Sequence, residues 1–197
     1  CADWGYPEPA EDYFLQTFAR LPDGLMRVLG HGLETGLVIP QGRTFTLKKL
    51  DANKGPYNWF SRNPSHKRPS PNWEYFVQVA EYVRLFELSE RNHLLLTFED
   101  DLMDLALYQG KRLLVYCEVK ERSDQLLQLL SGIREHEHEV DYTANDRGND
   151  PHRKAKYIVN RRPEYLSLVH RGSPLEVSVS YPEGMAFRLS DDLIPFI

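Results

Sequence analysis

Glu118 and Lys120 stand two residues apart in the run 112–120 (RLLVYCEVK), which reads as a β-strand. The period of two puts the carboxylate and the ammonium on one face of that strand, and leaves Val115, Cys117 and Val119 on a core-like opposite face. The run 102–108 (LMDLALY) reads as the preceding antiparallel strand, and its start, which carries Asp104, lies beside the end of the Glu118 strand. A carboxylate from each of two adjacent strands can therefore meet at one edge of a sheet, with an ammonium beside them. Two carboxylates, completed by waters and phosphate oxygens, are a common way to hold Mg²⁺. A cation held there lowers the pKa of bound water and offsets charge on a phosphoryl centre, while a lysine positions the nucleophile. Asp100 and Asp101 lie just upstream, and a two-residue hairpin loop would set Asp101 rather than Asp104 opposite Glu118. Asp104 is preferred because the apolar run Leu105-Ala106-Leu107-Tyr108 follows it directly.

The elements that position these residues are legible as changes of period. Residues 11–29 read as a helix broken at Pro22-Asp23-Gly24, and 37–47 as extended chain around a Pro-Gln-Gly turn. The Asn-, Ser- and Pro-rich stretch 57–71 reads as loop, closing on a helix-start signal at Ser70-Pro71-Asn72. A helix is expected over 71–88, with Trp73, Phe76, Val77, Ala80 and Val83 on its apolar stripe. Three strands follow at 93–99, 102–108 and 112–120. The period then returns to helical over 123–135, capped by Ser123 or Asp124, with Leu126, Leu127, Leu129, Leu130 and Ile133 as its stripe. A loop over 136–150, a basic helix over 151–162 and strands at 165–170, 175–181 and 185–189 complete the reading. The expected class is α+β, arranged as three α/β/α layers, with residues 1–70 as an N-terminal extension and 71–197 as the core domain.

The order of elements and the spacing of Asp104 from Glu118-Val119-Lys120 resemble the PD-(D/E)xK nuclease superfamily over residues 71–170. The resemblance implies a restriction-endonuclease-like αβββαβ core with a mixed sheet. It also implies a Mg²⁺- or Mn²⁺-dependent endonuclease hydrolysing DNA by metal-activated water. Asp104 and Glu118 would be the metal ligands, the Val119 carbonyl a further one, and Lys120 the residue assisting the water. A glutamate of the first helix would complete the site, Glu74 ahead of Glu81 and both ahead of Glu87, and Asp124 and Gln125 match polar residues of some branches. Met103 stands where the family motif has proline.

Charge is segregated in a way that the net value of −5 conceals. Residues 41–72 sum to +6 and 147–171 to +5, while the intervening 73–146 sum to −9. In the first basic stretch Lys48, Lys49, Lys54, Arg62, Lys67 and Arg68 alternate with Tyr57, Trp59 and Phe60; the second includes Arg153, Lys154 and Lys156. Cations interleaved with aromatics suit a phosphate backbone and stacked bases. The alternative reading is a non-catalytic module that binds nucleic acid or assembles with a protein partner or a second copy.

Other features carry less. His136-Glu137-His138-Glu139 reads as a solvated helix end, and Cys117 as a buried inert thiol. No nucleophile elbow, phosphate-binding loop or dinucleotide fingerprint is present. The longest apolar run is about five residues, far below the roughly 20 of a membrane helix. Two cysteines are too few for a disulfide scaffold, so a cytoplasmic setting is expected. The start at Cys1 reads first as a trimmed terminus, ahead of a processed or lipidated one.

Overall fold

The structure is a computed structural model that describes residues 21–49, 54–61, 70–171, 173–191 and 193–195. The chain divides into two compact units, 1–83 and 84–197. Among the described residues no helix is long and apolar enough to cross a membrane.

In the first unit, helix α1 spans Asp23–Glu34 and buries Leu25, Leu29 and Gly32. The expected break at Pro22-Asp23-Gly24 is instead the helix start, because a proline needs no N–H there and an aspartate suits the first turn. The part of that expected helix over 11–20 lies outside the described residues. Gly32 is dictated by packing: a Cβ there would sit 2.5 Å from Val83 Cγ2 and 2.9 Å from Val38 Cγ2. Strands β1 (Val38–Gln41) and β2 (Thr44–Leu47) form the expected hairpin, turning at Gly42 with φ 65°. Strand β3 (Tyr57–Asn58) adds to β2, and β4 (Phe60–Ser61) pairs with β5 (Ser70–Pro71). The described ends of the expected 57–71 loop are thus short strands.

Helix α2 spans Trp73–Arg91, beginning in the first unit and ending in the second. Its middle is not one-faced: every residue from Phe76 to Val83 is buried, Gln78 and Glu81 included.

The second unit is built on one mixed sheet of six strands in the order β11-β10-β9-β8-β7-β6. These are β6 (Leu95–Asp100), β7 (Met103–Gln109), β8 (Arg112–Lys120), β9 (Tyr165–His170), β10 (Ser173–Ser180) and β11 (Arg188–Ser190). All neighbours are antiparallel except β8 and β9, which are parallel. A parallel pair needs a long crossover, and here it carries helices α3 (Ser123–Arg134) and α4 (Asp150–Arg161). Both pack on one face, where Leu126, Leu129, Leu130 and Ile133 of α3 join Ala155, Tyr157 and Ile158 of α4 over Ala106, Tyr116, Leu166 and Leu168. Leu127, expected in that stripe, is exposed, since its position falls between buried Leu126 and Leu130 on the outer side. Leu105, Val115, Cys117 and Val119 on the other face of the sheet are equally buried.

The helix starts differ in kind. Arg122, not Ser123 or Asp124, occupies the N-cap position of α3 and makes no side-chain cap, because a guanidinium has no acceptor for a backbone N–H; it donates to Asp124 instead. In α4 the Asn149 side chain accepts a hydrogen bond from the His152 N–H at 3.2 Å, and Pro151 occupies the first turn. Gly132 of α3 allows Pro151 to approach, since a Cβ there would lie 2.8 Å from its ring.

Candidate active site

Register across the β7–β8 hairpin decides which acid meets Glu118. The loop is two residues, Gly110-Lys111, flanked by the pair Gln109–Arg112. An irregularity between Leu107 and Tyr108 then shifts the pairing by one residue, so that Leu105 faces Cys117. One step further along this register Asp104 comes opposite Glu118, and both project from the Ala106–Tyr116 face. Asp101 does not compete: it is exposed in the β6–β7 turn, with φ 60°. Asp100 is committed elsewhere, its Oδ2 accepting from Tyr108 Oη at 2.8 Å and from Thr97 Oγ1 at 3.2 Å.

Asp104 is fixed through the main chain of its neighbour, for Val119 N–H donates to its Oδ2 at 2.6 Å. Val119, whose carbonyl was expected as a ligand, meets Asp104 with its N–H and pairs with Val169 of β9. Glu118 is held by two ammoniums. Lys120 Nζ lies 2.8 Å from Oε1, and Lys154 Nζ lies 2.6 Å from Oε2. Lys154 also donates to the Leu102 carbonyl in the β6–β7 turn, and its ammonium sits 5.6 Å from the centre of the Tyr116 ring. The side chains of Glu118 and Lys154 are 4% and 9% exposed, that of Lys120 21%, so the cluster opens to solvent on the Lys120 side.

Electrostatics follow from this burial. Desolvation first, and the Glu118 carboxylate second, push the Asp104 carboxyl well above its ordinary range; the Val119 N–H and the ammoniums of Lys154 and Lys120 oppose the shift. Burial likewise raises the Tyr116 phenol, with Glu118 and Asp104 adding to it. The Tyr116 hydroxyl is buried without a hydrogen-bond partner among the described residues.

Of the residues expected at this site, the structure brings together Asp104, Glu118 and Lys120. Glu74 is exposed in the first turn of α2, within the first unit. Asp124 is paired with Arg122, and Gln125 is exposed. The fourth member, Lys154, was expected on the surface as a phosphate contact and is instead buried against Glu118. A signal for it exists in the sequence: Lys154 lies on the same helical stripe as Tyr157, Ile158 and Arg161, the stripe that α4 turns toward the sheet.

The remaining basic residues divide. Lys48, Lys49 and Arg153 are exposed and Lys54 is half-buried. Arg62, Lys67 and Arg68 lie outside the described residues. Lys156 is tied to its own loop, by Asp146 at 3.3 Å and the Ala144 carbonyl at 3.0 Å. Trp59, expected as a stacking platform, is packed between Phe45 at 4.0 Å and Phe76 at 4.8 Å. His136, expected in a solvated helix end, stacks on His152 at 4.7 Å, and the Glu137 carbonyl accepts from Ala186 and Phe187. Cys117 is buried, as expected.

Among the described residues no group of three or more His, Cys, Asp or Glu side chains converges. The donor set is therefore two hard carboxylates, which suit Mg²⁺ when waters and substrate oxygens complete its shell. Two carboxylates brought together from adjacent strands, with the cluster open to solvent on the Lys120 side, fit such a cation. Comparison with family models, with curated proteins and with solved structures gives no match.

Proposed function

We propose that the second unit is a metal-dependent nuclease that hydrolyses DNA phosphodiester bonds on a restriction-endonuclease-like core. The observation that carries this reading is the meeting of Asp104 and Glu118 across β7 and β8, with Lys120 on the same face of the Glu118 strand. The order α2, β6, β7, β8, α3, β9 supports it, as does the parallel β8–β9 pair.

Asp104 and Glu118 would hold Mg²⁺ or Mn²⁺, which when bound supplies charge to the phosphate and acidity to a coordinated water. The Val119 N–H fixes the Asp104 carboxylate, so its free geometry does not have to be ordered on substrate binding. Lys120, more solvent-facing than Glu118 and Lys154, is placed to orient the attacking water and to stabilise negative charge at the phosphoryl oxygens. Lys48, Lys49 and Arg153 offer cations to the phosphate backbone, giving binding that weakens steeply with salt.

The test is cleavage of supercoiled and linear DNA in Mg²⁺ or Mn²⁺ by the wild type, Glu118→Ala and Lys120→Ala at one salt concentration. Metal-dependent nicking lost in both variants supports the reading. A second reading, a non-catalytic nucleic-acid-binding or assembly module on the same core, is favoured by the pairing of both Glu118 oxygens with lysines. Salt-sensitive DNA binding in every variant with no cleavage by the wild type would favour it.

A further inference from the structure

Glu118 has two carboxylate oxygens, and Lys154 takes one of them with an ammonium that is itself buried. This is an unusual place for a lysine, since a buried charge is tolerated only with close partners. The partners are supplied from three elements: Oε2 of Glu118 on β8, the Leu102 carbonyl in the β6–β7 turn, and the face of Tyr116. The ammonium thus occupies the coordination space of Oε2, the Glu118 oxygen that Lys120 does not take.

Resting on the metal-site reading above, we infer that Lys154 is a resident counter-cation that competes with the divalent metal for Glu118. In the metal-free chain it satisfies Oε2 and ties the turn before Asp104 to the strand carrying Glu118, keeping both carboxylates in place. A dication brought to the same carboxylate is repelled by the ammonium a few ångströms away, an interaction that is strong where water is scarce. Metal loading therefore requires Lys154 to release Oε2. The site is closed by its own side chain until a metal, or a metal arriving with a phosphate that adds negative charge, displaces it. Lys120 differs because it is partly solvated, so a metal at Glu118 meets less resistance from it.

Lys154→Gln removes the charge and keeps hydrogen-bonding capacity. Calorimetric titration with Mn²⁺ alone is expected to show at least about tenfold tighter binding to Lys154→Gln than to the wild type, from the lost repulsion. Thermal unfolding in EDTA is expected to show a lower midpoint for the variant, recovered by Mn²⁺ more fully than the wild type gains. Equal or weaker Mn²⁺ affinity in Lys154→Gln overturns the competition while leaving the metal site standing, because the wild type then still binds. Absence of Mn²⁺ binding in both proteins overturns the competition and the metal-site reading together.

A second measurement needs no variant. The folded wild type is acylated briefly with and without saturating Mn²⁺, and Lys154 labelling is read by peptide mass spectrometry. Faster labelling of Lys154 with Mn²⁺, at unchanged rates for exposed Lys48 and Lys49, supports displacement. Unchanged protection of Lys154 under Mn²⁺ concentrations that saturate the calorimetric signal overturns it.

Discussion

Helix α4 sends two cations down to the same β-hairpin, two helical turns apart, and the two networks they form differ in how many carboxylates they gather. At one end Arg161 donates to Tyr108 Oη at 2.8 Å, and that hydroxyl donates in turn to Asp100. One cation there answers one carboxylate through a phenol, whose pKa is pushed up to about 12, by burial first and by Asp100 second. At the other end Lys154 meets a cluster in which two carboxylates and two ammoniums share a buried space. There burial first and Glu118 second push the Asp104 carboxyl well above its ordinary range, against the opposing pull of both ammoniums. A relayed pair that is balanced within itself does what buried polar groups do in many cores, which is to specify one packing. Two carboxylates that converge from adjacent strands at a solvent-facing edge can also accept a divalent cation whose shell is completed by waters and phosphate oxygens. The difference teaches that burial and hydrogen bonding do not separate a structural network from one able to hold a cation, whereas the convergence of two carboxylates does.

The largest expected effect comes from removing Glu118. Glu118→Ala leaves Lys154 buried without its counter-charge, which costs about 3–5 kcal/mol in chemical denaturation. It should also abolish metal-dependent cleavage. Retained activity in a folded Glu118→Ala protein would erase the contrast between the two ends.

An intermediate effect is expected at the Arg161 end. Tyr108→Phe removes the relay and leaves Asp100 and Arg161 to water or to each other, costing about 1–3 kcal/mol. Cleavage rate per folded molecule and Mn²⁺ affinity should be unchanged, as calorimetry and a DNA-nicking assay would check. A loss of cleavage beyond the loss of folded protein would place the Asp100 network in the chemistry and break the distinction.

The smallest effect is a pH dependence. An acid whose pKa is raised by folding binds more protons in the native state than in the unfolded one, so native stability falls as pH rises from the ordinary carboxylate range through the raised value. Metal-free protein should therefore lose stability over that window, and Asp104→Asn should flatten the profile while still accepting the Val119 N–H. Midpoints of urea unfolding from about pH 4 upward would report it, using the Asp reference value near 3.9 as the lower bound. Asp100→Asn should leave that slope in place, and an equal flattening by both variants would assign it to the hairpin as a whole.

Much of this arrangement is legible in the residues. The alternation in 112–120 sends Glu118 and Lys120 to one face and Val115, Cys117 and Val119 to the other, and strand geometry alone requires that. The runs around Gln109-Gly110 and Glu121-Arg122 mark where β7 and β8 end, and α3 and α4 follow from their stripes and from Pro151 at a helix start. Less legible is the choice between Asp101 and Asp104. The two-residue loop alone would bring Met103 opposite Glu118; an extra residue in the pairing near Leu107 brings Asp104 there instead, and no turn signal announces that residue.

Local periodicity determined the α+β class, the hairpin, the crossover helices and the shared face of Glu118 and Lys120, because each depends on residues within a few positions of one another. The tertiary structure decided the rest. It sent Lys154 inward to Glu118 and Lys156 to its own loop, and it packed Trp59 between Phe45 and Phe76, while Lys48, Lys49 and Arg153 stayed in solvent. A run of like charges reads the same whether its members face water or a carboxylate. Which they face is set by groups 36 residues away, as with Glu118 and Lys154, and only the packing of α4 on the sheet brings those together.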